Sequence, residues 1–129
     1  MSWQAAFWVA LGGAIGSVLR WATVALTLQR FGPGFPWGTL TVNVVGSFLI
    51  GIVAGLATSV APGLSPTMRL FIATGILGGF TTFSSFSLDT LTVGRDSGAP
   101  LALLYVASSV CLGLAAAAVG LALVRAIRT

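Results

Sequence analysis

Four long apolar stretches constrain this chain more than any other feature of its sequence. They cover residues 5–28, 37–60, 70–93 and 101–124, each about 24 residues long. An α-helix rises ~1.5 Å per residue, so each stretch would be about 36 Å long, enough to cross a ~30 Å hydrocarbon core with some tilt. Joints rich in glycine and proline separate the stretches. The sequence therefore predicts one all-α domain, residues 1–129, of four transmembrane helices.

The composition excludes a water-soluble fold. Of the 129 residues 57% are hydrophobic and only 6% are charged, whereas a soluble domain carries roughly 25% charged residues. The surface must therefore face lipid, and a lipid bilayer is a predicted partner of this chain. The net charge of +4 comes from arginines scattered among the span ends. Because they do not gather on one face, the charge does not predict nucleic-acid binding.

The titratable residues exclude most chemistry. The chain has no histidine and a single cysteine, and its two carboxylates are Asp89 and Asp96. A catalytic site that needs paired carboxylates or a histidine base cannot be assembled convincingly from this set. A transition-metal site built from side chains lacks ligands as well. The sequence therefore predicts neither an enzyme nor a transition-metal protein.

The arginines give almost no preference for one orientation in the membrane. With four spans, the side that holds both termini carries Arg69, Arg125 and Arg128. The opposite side carries Arg30 and Arg95, with Arg20, inside the first span, as a possible third. Orientation follows the difference in Lys and Arg between the two sides, and here the difference is small. Two interpretations remain: the termini face the cytoplasm by a thin margin, or the chain inserts both ways and pairs with an inverted copy of itself.

Polar side chains inside the first two spans are candidates for function, because each needs a partner in the membrane. Arg20 falls roughly 5 Å from the middle of the first span. It predicts a water-filled vestibule that attracts anions, or a bond to free carbonyls of a neighbouring helix. Asn43 and Ser47 are four residues apart and share a helix face. The Asn43 amide could donate to an unhydrated anion or clamp two helices together.

The segment 78–87 at the centre of the third span is rich in glycine, hydroxyl side chains and phenylalanine. The Gly78-Gly79 pair weakens the helix, so the third helix is predicted to break at mid-membrane. Broken backbone at this depth exposes carbonyls that coordinate cations and N–H groups that bind anions. Phe83 and Phe86 share one face, and the positive edges of their rings could contact a small anion, although such residues more often only pack.

Two residues of the fourth span, Tyr105 and Ser109, are four apart and lie on one helix face. Their hydroxyl groups could form a polar stripe along the helix. They could equally donate to carbonyls of their own helix, in which case they would carry no function. The sequence leaves both interpretations open.

The assembled motifs resemble those of the Fluc (CrcB) fluoride channels, and the resemblance extends over all four spans. The matching motifs are Gly12-Gly13-x-x-Gly16-x-x-x-Arg20, Gly38-Thr39-Leu40-x-x-Asn43-x-x-Gly46-Ser47-Phe48 and Gly78-Gly79-Phe80-Thr81-Thr82-Phe83-Ser84-Ser85-Phe86-Ser87. The resemblance implies a multi-pass protein of a microbial plasma (inner) membrane that passes fluoride passively out of the cytoplasm and rejects chloride. It also implies an inverted homodimer with two separate pores.

The resemblance also implies roles for individual residues. The fluoride pathway would be formed by Asn43, Phe83, Phe86, Ser84, Tyr105, Ser109 and, near the aqueous entrance, Arg20. The backbone carbonyls of Gly78 and Thr81 would hold a structural sodium ion at the dimer axis. Two positions depart from the family pattern: Asp89 stands where a glutamate is usual, and Gly113 lacks an expected hydroxyl.

The main rival is a small multidrug-type transporter, which is also a dual-topology protein of four short spans and is coupled to protons. That class needs a carboxylate embedded in the first span, and residues 5–28 contain none. A structural or assembly factor in the membrane is a third possibility. It would not need spans lined by hydroxyl groups.

Overall fold

The structure is a computed structural model that describes residues 2–58 and 63–128, and in these two ranges every regular element is a helix. The elements in order are α1 (Trp3–Phe31), α2 (Trp37–Thr58), α3 (Pro66–Arg69), a π-helical segment (Leu70–Leu77), α4 (Gly78–Phe80), α5 (Phe83–Ser97) and α6 (Ala99–Arg128). The last two residues of the predicted second span, 59 and 60, lie outside the described residues.

Four helical runs of the described chain are long and apolar enough to cross a membrane. They are Trp3–Phe31, Trp37–Ala57, Pro66–Ser97 and Ala99–Ile127. The predicted all-helical class and the four membrane-spanning helices are therefore confirmed, and the protein is a multi-pass membrane protein. The run Pro66–Ser97, called the third span below, contains α3, the π-helical segment, α4 and α5.

Local capping residues fix the ends of the helices. The side chain of Ser2 accepts a hydrogen bond from the N–H of Ala5 at 3.2 Å and starts α1. Gly32, with φ of 74°, ends α1 and donates its N–H to the carbonyl of Leu28 at 2.9 Å. Gly98, with φ of 93°, separates α5 from α6. Glycine adopts these positive φ values without a steric penalty, so both turns depend on it.

The helices pack in two pairs whose members run in the same direction. In the first pair, α1 lies against the third span, where a Cβ on Gly16 would overlap the carbonyl oxygen of Ile76. In the second pair, α2 lies against α6, where a Cβ on Gly51 would overlap the carbonyl oxygen of Ala117. Small residues allow membrane helices to approach this closely, and the gain in van der Waals contact holds them together.

We expect Gly16→Val to prevent stable folding, because its side chain has no space against the backbone of Ile76. Overpacking of this kind costs about 1–3 kcal/mol or more. Gly13→Ala is the matched control on the same helix, since a Cβ there meets nothing within 4 Å. Size-exclusion chromatography in detergent should show an aggregated valine variant and a monodisperse alanine variant. Normal elution of Gly16→Val would contradict the packing described.

The π-helical segment Leu70–Leu77 precedes the functional region of the third span. Such helices are rare, and most occur as short irregularities near functional sites. The α-type pattern returns after it, because the N–H of Thr81 donates to the carbonyl of Leu77 at 3.0 Å. The third span therefore changes its helical form twice before the chain reaches Thr82.

Candidate functional site

Residues Thr81 and Thr82 interrupt the helical backbone of the third span. Helix α4 ends at Phe80, and both threonines are extended, with ψ of 160° at Thr81 and 122° at Thr82. Helix α5 then begins at Phe83. An extended residue inside a span loses its helical hydrogen bonds, and its polar groups need other partners because lipid provides none.

The side chain of Asn43 supplies both partners to Thr82. The N–H of Thr82 donates to Oδ1 of Asn43 at 2.9 Å, and Nδ2 of Asn43 donates to the carbonyl of Thr82 at 3.1 Å. One amide on α2 thus satisfies the donor and the acceptor of one extended residue. Of the two roles that the sequence left open for Asn43, this contact is the clamp between helices. The Nδ2 group carries a second N–H, so the clamp does not exhaust its donors.

Two backbone carbonyls near the interruption lose their usual helical partners. In a continuous helix Gly78 would accept the N–H of Thr82, but that N–H is held by Asn43. Likewise Thr81 would accept the N–H of Ser85, but that N–H donates to Oγ1 of Thr82 at 3.2 Å. Side-chain caps therefore take the usual helical partners away from the carbonyls of Gly78 and Thr81, the two positions to which the resemblance gives sodium, and no other partner from the described residues replaces them.

The hydroxyl of Thr82 caps the start of α5. Besides accepting the N–H of Ser85, it donates to Oγ of Ser85 at 3.2 Å and lies 3.2 Å from Oγ of Ser84. Ser84 itself is exposed. A hydroxyl at this position satisfies one of the free N–H groups at a helix N-terminus, where the helix dipole is positive.

A groove of about 410 Å³ opens beside the interruption and collects most of the predicted site residues. Six of them line it: Asn43, Gly78, Thr81, Phe83, Phe86 and Ser109. Ser47 and Thr82 line it as well. The groove therefore lies between α2, the third span and α6, and it brings an amide, hydroxyl groups, free carbonyls and aromatic rings to one place.

Four aromatic rings form a chain from this groove toward the loop between α1 and α2. Phe83, which is 79% exposed, lies beside Phe86 with ring centroids 5.6 Å apart. Phe86 lies 5.4 Å from Tyr105, and Tyr105 meets Phe35 edge to face at 5.4 Å. Aromatic pairs at these separations stabilise each other, and the orientation of each ring depends on the next.

Polar positions of α2 and α6 face each other as three pairs, called the α2–α6 polar pairs below. Thr39 faces the hydroxyl of Tyr105, Asn43 and Ser109 line the same groove, and Ser47 lies against Gly113. Successive members are four residues apart on each helix, so each set follows one helix face. Because the two helices run in the same direction, one turn of α2 matches one turn of α6.

Two buried hydroxyl groups in these pairs make no well-formed hydrogen bond within residues 2–58 and 63–128, although the Tyr105 hydroxyl lies close to the side chains of Thr39, Asp89 and Ser109. They are Oη of Tyr105, whose side chain is fully buried, and Oγ of Ser109, which is 9% exposed. Neither hydroxyl donates to a backbone carbonyl of its own helix, whereas that of the neighbouring Ser108 donates to the carbonyl of Leu104 at 2.6 Å. Buried polar groups almost always have partners, so these two hydroxyl groups stand out among the polar side chains of the pairs.

The carboxylate of Asp89 lies at the Tyr105 end of the polar pairs. Thr39 donates its hydroxyl to Oδ2 of Asp89 at 2.6 Å, and Asp89 also lies close to the hydroxyl of Tyr105. Asp89 lines a second cavity of about 210 Å³, together with Thr27, Thr39 and Thr92. The groove and this cavity therefore lie on the two sides of the buried Tyr105.

Comparison with known proteins matches nearly the whole chain. The family model described as "CrcB-like protein, Camphor Resistance (CrcB)" matches residues 7–121. The chain belongs to the CrcB family.

Three relatives of this CrcB protein carry the same name. A "Fluoride-specific ion channel FluC" of Rhizobium meliloti (strain 1021) is 52% identical over 118 residues, which cover 92% of this chain and 94% of the relative. A protein of the same name from Rhizobium etli (strain CIAT 652) is 52% identical over 122 residues, which cover 95% of this chain and 97% of the relative. A protein of the same name from Thermus thermophilus is 52% identical over 112 residues, which cover 87% of this chain and 88% of the relative.

One predicted site residue of the CrcB chain lies apart from the others. Arg20 is half-buried on α1 and lines neither the groove nor the second cavity. No hydrogen bond or ion pair reaches it from the described residues. Sequence reasoning missed the pair formed by Thr39 and Asp89, which are 50 residues apart. The only signal was the position of Asp89 in the family pattern, since a distant hydroxyl partner leaves no local trace.

Proposed function

We propose that this protein is a fluoride-selective passive channel, not an enzyme, that lets fluoride leave the cytoplasm and so gives fluoride resistance. The carrying observation is that the buried hydroxyl groups of Tyr105 and Ser109, which make no well-formed hydrogen bond to the described residues, lie in the polar pairs, and that Ser109 also lines the groove. They occur in a chain that is about half identical to proteins named fluoride-specific ion channels. The channel works in the plasma (inner) membrane of a microbe.

Fluoride is small and strongly hydrated, so loss of its water is the main barrier to crossing the membrane. The second N–H of Asn43 and the hydroxyl groups of Tyr105 and Ser109 replace that water with fixed donors. The edges of Phe83 and Phe86 add positive electrostatic potential without a formal charge. Ser84 and Arg20 extend the pathway toward water, where a fixed positive charge attracts anions.

The carboxylate of Asp89 needs an explanation in a pathway for anions. Its Oδ2 accepts the hydroxyl of Thr39, so part of its charge is directed at a fixed donor. As an acceptor beside the Tyr105 hydroxyl, it also influences which way that proton points. We therefore assign Asp89 to the orientation of hydroxyl groups and not to direct contact with fluoride.

The functional unit that we propose is an inverted homodimer with two pores. The near balance of arginines between the two sides allows the chain to insert in both directions. Phe83 is 79% exposed beside an open groove in a single chain, and a second copy would cover it.

Each chain forms one domain, and its third span is broken at mid-membrane: Thr81 and Thr82 lie at the middle of the run Pro66–Ser97.

The same dimer would hold a structural sodium ion. The carbonyls of Gly78 and Thr81 fit a hard cation, because such cations take oxygen ligands and both carbonyls lack their helical partners. Two carbonyls are too few, so an inverted copy would supply the second pair at the symmetry axis. Such a cation would neutralise carbonyl dipoles that otherwise face each other at low dielectric.

The rival function, a proton-coupled multidrug transporter, is not supported by the comparisons. The first helical run, Trp3–Phe31, contains no carboxylate to couple transport to protons.

Fluoride flux from liposomes tests the proposed function. Purified protein is placed in liposomes loaded with potassium fluoride, a potassium ionophore sets the potential, and a fluoride electrode records efflux. We expect rapid fluoride efflux and almost none of chloride in a matched chloride experiment. Fluoride efflux no faster than from empty liposomes would overturn the proposal.

Labelling of cysteines placed at the termini should occur from both sides of the membrane, and labelling from one side only would contradict the inverted dimer.

A further inference from the structure

The third of the α2–α6 polar pairs contains one polar side chain where the others contain two. Gly113 follows Tyr105 and Ser109 on the same face of α6, but it has no side chain with which to continue their stripe. A Cβ on Gly113 would lie 3.4 Å from Oγ of Ser47. The hydroxyl of Ser47, coming from α2, therefore lies beside the position where the stripe on α6 stops.

The hydroxyl of Ser47 is free to donate. Hydroxyl groups elsewhere in the spans donate to the carbonyl four residues earlier, as Ser87 and Thr90 of α5 and Ser108 of α6 do at 2.9, 2.8 and 2.6 Å. Ser47 makes no such bond, nor any other hydrogen bond to the part of the chain that the structure describes. It lines the groove together with Asn43 and Ser109. Its donor thus resembles that of Ser109 in being unpaired and next to the groove.

We propose that Ser47 is an anion-binding residue of the groove, and that its hydroxyl donates to fluoride at the level where α6 supplies no donor. The inference rests on the proposed function. An anion that leaves the level of Asn43 and Ser109 meets the next donor four residues further along α2, ~6 Å along the axis. The line of donors therefore changes from α6 to α2 at Gly113, and the pathway continues past the end of the Tyr105–Ser109 stripe.

Fluoride efflux from liposomes containing Ser47→Ala tests this inference. Loss of a hydrogen bond to an anion is expected to slow efflux roughly tenfold. Ser108→Ala is the matched control, since it makes the same change one residue from the stripe in a hydroxyl already bonded to Leu104. We expect the control to match the unmodified protein. Unchanged efflux with Ser47→Ala would overturn the inference and leave the proposed function intact, whereas no efflux from the unmodified protein would overturn the function itself.

Two further variants separate donation from folding. Ser47→Cys keeps the shape of the side chain but donates weakly, so we expect slower efflux with unchanged elution from a size-exclusion column. Gly113→Ser adds a hydroxyl beside Ser47, and in that background Ser47→Ala should slow efflux less than about threefold, because the two hydroxyl groups act at one level. Full efflux with Ser47→Cys, or an undiminished tenfold loss in the Gly113→Ser background, would contradict the role given to Ser47.

Discussion

Replacement of Asn43 by leucine is expected to abolish fluoride efflux and to destabilise the protein by about 2–6 kcal/mol. The estimate follows because the N–H and the carbonyl of Thr82 both lose their partner, and each buried group left unpaired costs about 1–3 kcal/mol. Thermal unfolding in detergent should show a clear fall in the midpoint temperature. Val45→Leu, an exposed position on the same helix, should leave both measurements unchanged.

A second variant separates the two bonds of the clamp. Asn43→Asp keeps an acceptor for the N–H of Thr82 but cannot donate to its carbonyl, and it places a negative charge in the groove. We expect it to remain more stable than Asn43→Leu and yet to pass little fluoride, because the charge repels anions. If Asn43→Leu unfolded at the same temperature as the unmodified protein, the clamp would not support the interruption at Thr82.

Replacement of Phe83 or Phe86 by isoleucine is expected to slow fluoride efflux by about tenfold in each case. Isoleucine keeps much of the apolar volume but has no ring and therefore no positive edge to offer an anion. The two rings are neighbours, with centroids 5.6 Å apart, so either replacement should also disturb the other ring. The measurement is initial efflux from liposomes at a fixed potential, with chemical crosslinking to check that the proposed dimer is retained.

Phe7→Ile serves as the control for the aromatic variants. Phe7 is a 60% exposed residue of α1 that lines neither the groove nor the second cavity. The same loss of a ring there should leave efflux unchanged. If Phe83→Ile and Phe86→Ile both passed fluoride as fast as Phe7→Ile, the rings would serve packing alone and the aromatic part of the proposed pathway would be wrong.

Hydropathy predicted the four helices because lipid requires long apolar runs and leaves few alternatives. The exact ends were harder, since the first helix starts at Trp3, where Ser2 caps it, and continues to Phe31. Helix ends are fixed by capping side chains and by glycines with positive φ, and neither feature changes the hydropathy of the sequence. The π-helical segment Leu70–Leu77 could not be predicted in the same way. In a π-helix each hydrogen bond spans five residues where an α-helix spans four, and the apolar composition of this segment is the same as that of an α-helix.

The site was only partly legible in the sequence, for a different reason. Spacing placed Tyr105 with Ser109, and Asn43 with Ser47, on single helix faces. Spacing within one helix does not say which residues of another helix face it, so the pairing of α2 with α6 needed the structure. The partner of Asn43 was hidden for the same reason: it is the backbone of Thr82, 39 residues away, and every residue type except proline offers the same backbone groups.

The clamp between Asn43 and Thr82 has a consequence for the order in which the chain is made. Ribosomes release the amino-terminal part first, so α2 emerges before the third span. The amide that Thr82 needs thus enters the membrane ahead of it, 39 residues earlier in the chain. When the third span arrives, its two exposed backbone groups find their partner at once. Both partners of this clamp therefore lie on α2 and the third span, and neither belongs to α6.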